Sequence, residues 1–146
     1  MKDRHSLPPP PSAIGRPSSN RFGAFRAANL ALALVFTGFA AVQYNDPDPV
    51  RWMAVYGAAA VVCGLAAFRP RSAGLPAAAV GLAAFVWALG VALPIIGQPV
   101  AWSQVFATMR MVGPNVEETR EALGLLIASA WMTVIALRWW RGRGAV

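Results

Sequence analysis

The chain has 146 residues, of which 57% are hydrophobic and only 13% charged, about half the ~25% charged fraction of a soluble domain. That balance excludes an ordinary water-soluble fold and points to lipid as the solvent. The formal charge is +7, but the basic residues flank apolar segments instead of forming a stripe with interleaved aromatics. Membrane topology explains such a pattern, and nucleic acid is not expected as a partner.

Lys2 is the only lysine, the other basic residues are arginines, and alanine is abundant, a composition we read as bacterial. Cys63, the single cysteine, lies inside an apolar segment, which excludes an intrachain disulfide or a CxxC metal site. Residues 1–22 hold Pro8, Pro9, Pro10, Pro11 and Pro17 among serines and scattered charges. Such a segment buries too little apolar surface to offset ordering entropy, so a disordered cytoplasmic tail is expected, although a proline run can also serve as a polyproline recognition element. His5, the only histidine, falls in this tail and is not expected to act as a base or a ligand.

The transmembrane domain is expected over 23–141, with a short C-terminal tail at 142–146. Its first span, at 27–44, follows Arg21 and Arg26 and makes about 27 Å of helix at ~1.5 Å per residue. A signal peptide ending near Gly38-Phe39-Ala40 is the alternative. The long leader and an apolar run beyond the usual ~7–15 residues favour an uncleaved helix. The second span, 50–68, carries Met53, Gly57, Ala60 and Gly64 at helical spacing, a mostly small-residue stripe that lets another helix approach closely. Arg69 and Arg71 mark a short basic loop, and the third span runs over 75–97 with Pro94 near its end, where a kink or early termination is expected.

Between 98 and 113, Trp102, Val105, Phe106, Met109 and Val112 follow i, i+3, i+4, i+7 and i+10, the pattern of a short amphipathic helix in the interface. Gly113-Pro114 breaks it. Asn115 stands three residues before Glu118, as an N-cap does before its reciprocal partner, so the last helix is expected to begin near Val116 and to cross at 118–140. The expected fold class is therefore all-α, an integral membrane four-helix bundle with a short interfacial helix before the last span.

With four spans, ten basic residues fall on the side of the termini and of Arg69 and Arg71, against Arg51, Arg110 and Arg120 on the other. The positive-inside rule then puts both termini in the cytoplasm of a bacterial inner membrane. Asp46, Asp48, Glu117, Glu118 and Glu121 all land on the outer side. Trp52, Trp102, Trp139 and Trp140 fit as interfacial anchors, and Trp87 and Trp131 as packing residues within the spans.

The outer acids draw attention to one corner. Gly38, Ala41 and Asn45 share a face of the first helix, expected to be its close-packed side. Glu117, Glu121, Gly124 and Ala128 share a face of the last, with Arg120 at its edge. Trp52 and Tyr56, one turn apart, are placed to roof or wall the cluster between them. Each residue of the turn has a structural explanation: Asp48 as N-cap before Pro49 at the first helical position, Pro47 forcing Asp46 out of helical geometry, and Asn45 ending the first helix. Arg120 can neutralise an acid of the turn, and Asp46 is left without a local role.

A divalent cation is the rival explanation, since Asn45, Asp46, Asp48, Glu117 and Glu121 offer hard oxygen donors. Their spacing is not that of an EF-hand, Arg120 would compete for the carboxylates, and the outer face has no histidine or cysteine for a transition metal. Paired carboxylates can divide acid and base roles, but no activated nucleophile accompanies them, so no residue is assigned as catalytic and no other cofactor is expected. Transport has little support, because the span centres hold no ionisable residue. Asn29 and Thr133 are accounted for by interhelical hydrogen bonds.

The run Gln43-Tyr44-Asn45-Asp46-Pro47-Asp48-Pro49 followed by Trp52 and Tyr56, with Glu118-Thr119-Arg120-Glu121-Ala122-Leu123-Gly124 leading into the last helix, resembles the transmembrane protein 220 family. The resemblance covers residues 27–140 and implies a small multi-span membrane protein. That family has no established biochemical activity, so the resemblance carries over no catalytic or binding residue. The function expected is a non-enzymatic structural or accessory subunit that binds other membrane helices or itself. Cation or small-ligand binding at the outer face, and a membrane-embedded enzyme, are the alternatives.

Overall fold

A computed structural model describes residues 19–107 and 113–143. The expected proline-rich tail lies outside these residues as far as position 18, as do Met109, Arg110 and Val112 of the expected amphipathic helix. Five α-helices and no strand occur among the described residues: α1 (Ser19–Val42), α2 (Pro49–Phe68), α3 (Gly74–Ala92), α4 (Trp102–Val105) and α5 (Pro114–Arg143). Four of them, all but α4, are long and apolar enough to cross a bilayer, with spans at Phe22–Val42, Pro49–Phe68, Gly74–Ile95 and Pro114–Arg143. Leu34, Val35, Val61, Leu82, Val86 and Ile127 lie exposed on the outside of the bundle, which suits a chain whose solvent is lipid.

The helix ends follow from their prolines and polar residues. Pro49 and Pro114 occupy first turns, where a missing N–H costs nothing. α2 stops at Phe68 because Arg69 precedes Pro70 and turns out of helical geometry. Pro94 converts the end of α3 into a 3-10 turn, Leu93–Ile95, the early termination expected. The chain then reverses at Gly97, whose φ of +83° favours glycine. Among the described residues of the expected amphipathic helix, the helical ones are Trp102–Val105. Val105 is buried and Phe106, which caps the helix, is 83% exposed, so the two do not share an apolar face.

Asn115 is not the N-cap expected. It lies inside α5, which begins one residue earlier, and its amide Nδ2 donates to the Pro99 carbonyl at 3.2 Å. The side chain thus ties the last helix to the loop before α4, while the Val116 and Glu117 N–H groups donate to the Gly113 carbonyl.

The helices pack as two tight antiparallel pairs, α1 with α2 and α3 with α5, with looser contact between the pairs. The face of α3 in the core is Gly74, Ala77, Gly81, Ala84 and Ala88, small residues at alternating spacings of three and four that bring the α5 backbone close. A Cβ on Gly81 would stand 2.9 Å from the Met132 Cβ and 3.6 Å from the Ser129 carbonyl oxygen. At the other end of the same stripe, a Cβ on Gly74 would overlap the Trp139 ring, whose Nε1 donates to the Arg71 carbonyl at 2.8 Å.

The close-packed faces expected on the first two helices are not the ones used. On α1 the inward residues are Phe25, Asn29, Leu32, Phe36 and Phe39, whereas Gly38 and Ala41 are exposed. On α2 the inward face is Trp52, Tyr56, Ala59, Cys63 and Ala66, and Met53 is exposed. A Cβ added to Gly38, Gly57 or Gly64 would meet no described atom within 4 Å. The physical reason is burial: large aromatics gain more from the bundle interior than glycine does.

Side chains bridge the two pairs. Near the termini, the Trp131 Nε1 donates to the Asn29 Oδ1 at 3.1 Å, and Asn29, fully buried, returns its own Nδ2 to the Phe25 carbonyl at 2.9 Å. Arg138 places its guanidinium 4.1 Å from the centre of the Phe25 ring. At the opposite end the bridge is aromatic, with Trp52 of α2 stacked on Trp87 of α3 at 4.6 Å.

Candidate functional site

The site begins at the corner between α1 and α2. After Val42 the backbone tightens into a 3-10 turn, Gln43–Asn45, and Asp46 swings to an extended conformation (φ −69°, ψ 149°), as a residue before proline must. Tyr44 points outward and is 70% exposed. Asp46 does have a local role: its Oδ1 accepts the Asp48 N–H at 3.0 Å, closing an Asx turn over Pro47. Asp48 occupies the N-cap position of α2, but its side chain makes no capping hydrogen bond. Its carboxylate pairs instead with Arg51 at 3.3 Å, and both side chains are well exposed, so the pair adds at most about 1 kcal/mol.

Beneath the corner lies an aromatic layer. Trp52 and Tyr56 are 5% and 3% exposed, so they form the floor of the polar end, not a roof. Tyr56 stacks against Trp52 at 6.2 Å and meets Phe39 edge-on at 5.5 Å and Phe36 at 6.5 Å, which continues the line from Trp87 across three helices.

Gly124 of α5 is the notch that receives Tyr56. A Cβ there would overlap the tyrosine hydroxyl, so only glycine lets the ring reach α5. One turn earlier, Glu121 is half-buried, and the charges within its reach include those of Asp46, Glu117 and Glu118. Glu117 sits in the first turn of α5, where the exposed N–H groups of the helix end favour an acid. Arg120 is half-buried on the adjacent side.

The fold therefore brings Asp46, Tyr56, Glu121 and Gly124 together, from residues far apart in the chain. It leaves the Asp48–Arg51 pair on the outside of the corner. Among the described residues, no three His, Cys, Asp or Glu side chains are arranged to hold one metal ion. Two features were not anticipated from the sequence: the Gly74–Ala88 stripe of α3 and the pairing of Asn29 with Trp131. The first had a readable signal in its spacing of small residues. The second did not, because nothing local links positions 29 and 131.

No solved structure matches the chain. The family described as transmembrane family 220, helix, matches residues 35–137, a stretch that takes in the corner, its aromatic floor, the α3 stripe and the Glu121–Gly124 segment. A match over more than half of the chain, on a bundle of four apolar helices, makes this protein a member of transmembrane family 220.

Proposed function

We propose that the protein is a non-enzymatic structural or accessory subunit of a membrane assembly. The observation that carries this reading is the division of labour among its residues. The corner's polar groups are engaged locally, in the Asp46–Asp48 turn and the Asp48–Arg51 pair, while Gly38 of α1 and Gly57 and Gly64 of α2 face away from the core with no described atom against them. Open glycines on a lipid-facing helix suit close approach by another helix. Extraction in a mild detergent followed by mass spectrometry is expected to recover a second membrane polypeptide or a homo-oligomer, and Gly57→Leu with Gly64→Leu to lose it. A monomer in isolation would count against the reading.

The second reading, a divalent cation at the acidic corner, draws on the gathering of Asp46 with the α5 acids, although among the described residues these do not form a three-ligand set. It requires calcium to raise the melting temperature, and Asp46→Asn to abolish the rise. On the structural reading Asp46→Asn is nearly silent, because an asparagine oxygen accepts the Asp48 N–H equally well.

The excess of arginine beside the termini and at Arg69 and Arg71 supports a cytoplasmic location for both ends, and the arginine- and alanine-rich composition supports a bacterial inner membrane. Reporter fusions at Gly74 and Val146 should both read cytoplasmic; an external Val146 would overturn this orientation.

A further inference from the structure

The two loosely packed neighbours α2 and α3 leave a groove of about 540 Å³ between them. Ala54, Val55 and Ala58 form one wall and Val80 and Ala83 the other, with Trp87, stacked on Trp52, at the corner end. Arg51 stands at the mouth, at the end of the bundle that carries the corner. Nearly all the lining is apolar, and Ala54 and Ala83 are exposed to the surroundings of the helices.

We infer that this groove holds one acyl chain of a zwitterionic phospholipid, whose phosphate meets Arg51 and whose ammonium meets Asp48. From Arg51 to Ala58 the groove descends about 10 Å at ~1.5 Å per residue, with apolar walls below Arg51. The small side chains on both walls leave room between the helices for methylenes to pack.

Charge complementarity at the mouth selects the headgroup. Arg51 and Asp48 stand 3.3 Å apart and are both well exposed, so each can turn to an outside partner at little cost. A phosphate with an attached ammonium presents the opposite signs in the same order. A purely anionic headgroup would satisfy Arg51 but face the Asp48 carboxylate beside it, which disfavours it.

The test is native mass spectrometry on the full chain, stripped of lipid and exchanged into detergent holding phosphatidylethanolamine or phosphatidylglycerol. One phosphatidylethanolamine is expected to stay bound in preference to phosphatidylglycerol. Arg51→Gln should weaken its retention about tenfold, the loss of one charge-assisted hydrogen bond. Asp48→Asn should shift the preference towards phosphatidylglycerol, and Ala54→Leu with Ala83→Leu, both at exposed positions, should abolish retention of either lipid while helix content stays unchanged. Equal retention of both lipids, an Asp48→Asn protein with unaltered preference, or a photo-crosslinker at Ala83 that captures a polypeptide would overturn the inference.

Discussion

Replacing Gly124 with alanine tests the joint between the two helix pairs. The added methyl falls where the Tyr56 hydroxyl oxygen lies, while the ring carbon behind that oxygen would remain 3.4 Å away, an ordinary contact. The hydroxyl cannot simply swing aside, because the ring is stacked on Trp52 and wedged against Phe39 and Phe36. Overpacking of this kind costs roughly 1–3 kcal/mol, against which alanine recovers up to about 1 kcal/mol of helix propensity. A net destabilisation of about 0.5–2 kcal/mol is expected for Gly124→Ala. Tyr56→Phe removes the one atom in conflict, so in the double variant the methyl fits and the cost of overpacking disappears. Unfolding of the wild type, both single variants and the double variant in mixed detergent micelles, followed by helix content, gives the coupling. It should be favourable by about 1–2 kcal/mol; additivity within ~0.5 kcal/mol would refute the notch.

Glycines on opposite sides of the bundle should respond in opposite ways. Gly81→Ala forces a contact of 2.9 Å with the Met132 Cβ, part of the α5 framework and unable to rotate away, so thermal denaturation should show a loss of stability of roughly 1–2 kcal/mol after the propensity gain. Gly57→Ala meets nothing and should leave the isolated protein unchanged or stabilise it by up to about 1 kcal/mol. Trp131→Phe strands the buried Asn29 oxygen and should cost about 1–3 kcal/mol by the same assay; adding Asn29→Leu should restore part of the loss, since it removes the unpaired group.

The spans and their order were legible because length and apolarity decide them, and Pro49, Pro94 and Pro114 mark helix ends without help from tertiary structure. The meeting of the acidic corner with the last helix was readable only on the α5 side, where Glu121 and Gly124 share the expected face, because the α1 face expected to carry it, Gly38 and Ala41, is exposed. Which face of each helix turns inward was not. In water, hydrophobicity itself labels the buried side, but in lipid nearly every side chain of a span is apolar, and small-residue stripes compete as candidates. The stripe through Gly57 and Gly64 and that through Gly74, Gly81 and Ala88 look alike in the sequence. Among the described residues, only the second has another helix against its glycines. Asp46 carried a readable signal of its own: an aspartate before proline favours a hydrogen bond from the N–H two residues on.

The pairing of α1 with α2 and α3 with α5 also bears on how the protein is made. A chain threaded into the membrane from its N-terminus completes its first hairpin once Phe68 has emerged, since both helices and the turn that joins them are then present. α3 has no such neighbour waiting. Its glycine and alanine face must sit in the bilayer uncovered while the connecting segment and α5 are synthesised, and during that interval any other helix with a compatible groove competes for it. A chain cut after α3 would retain a finished hairpin and one helix without its partner.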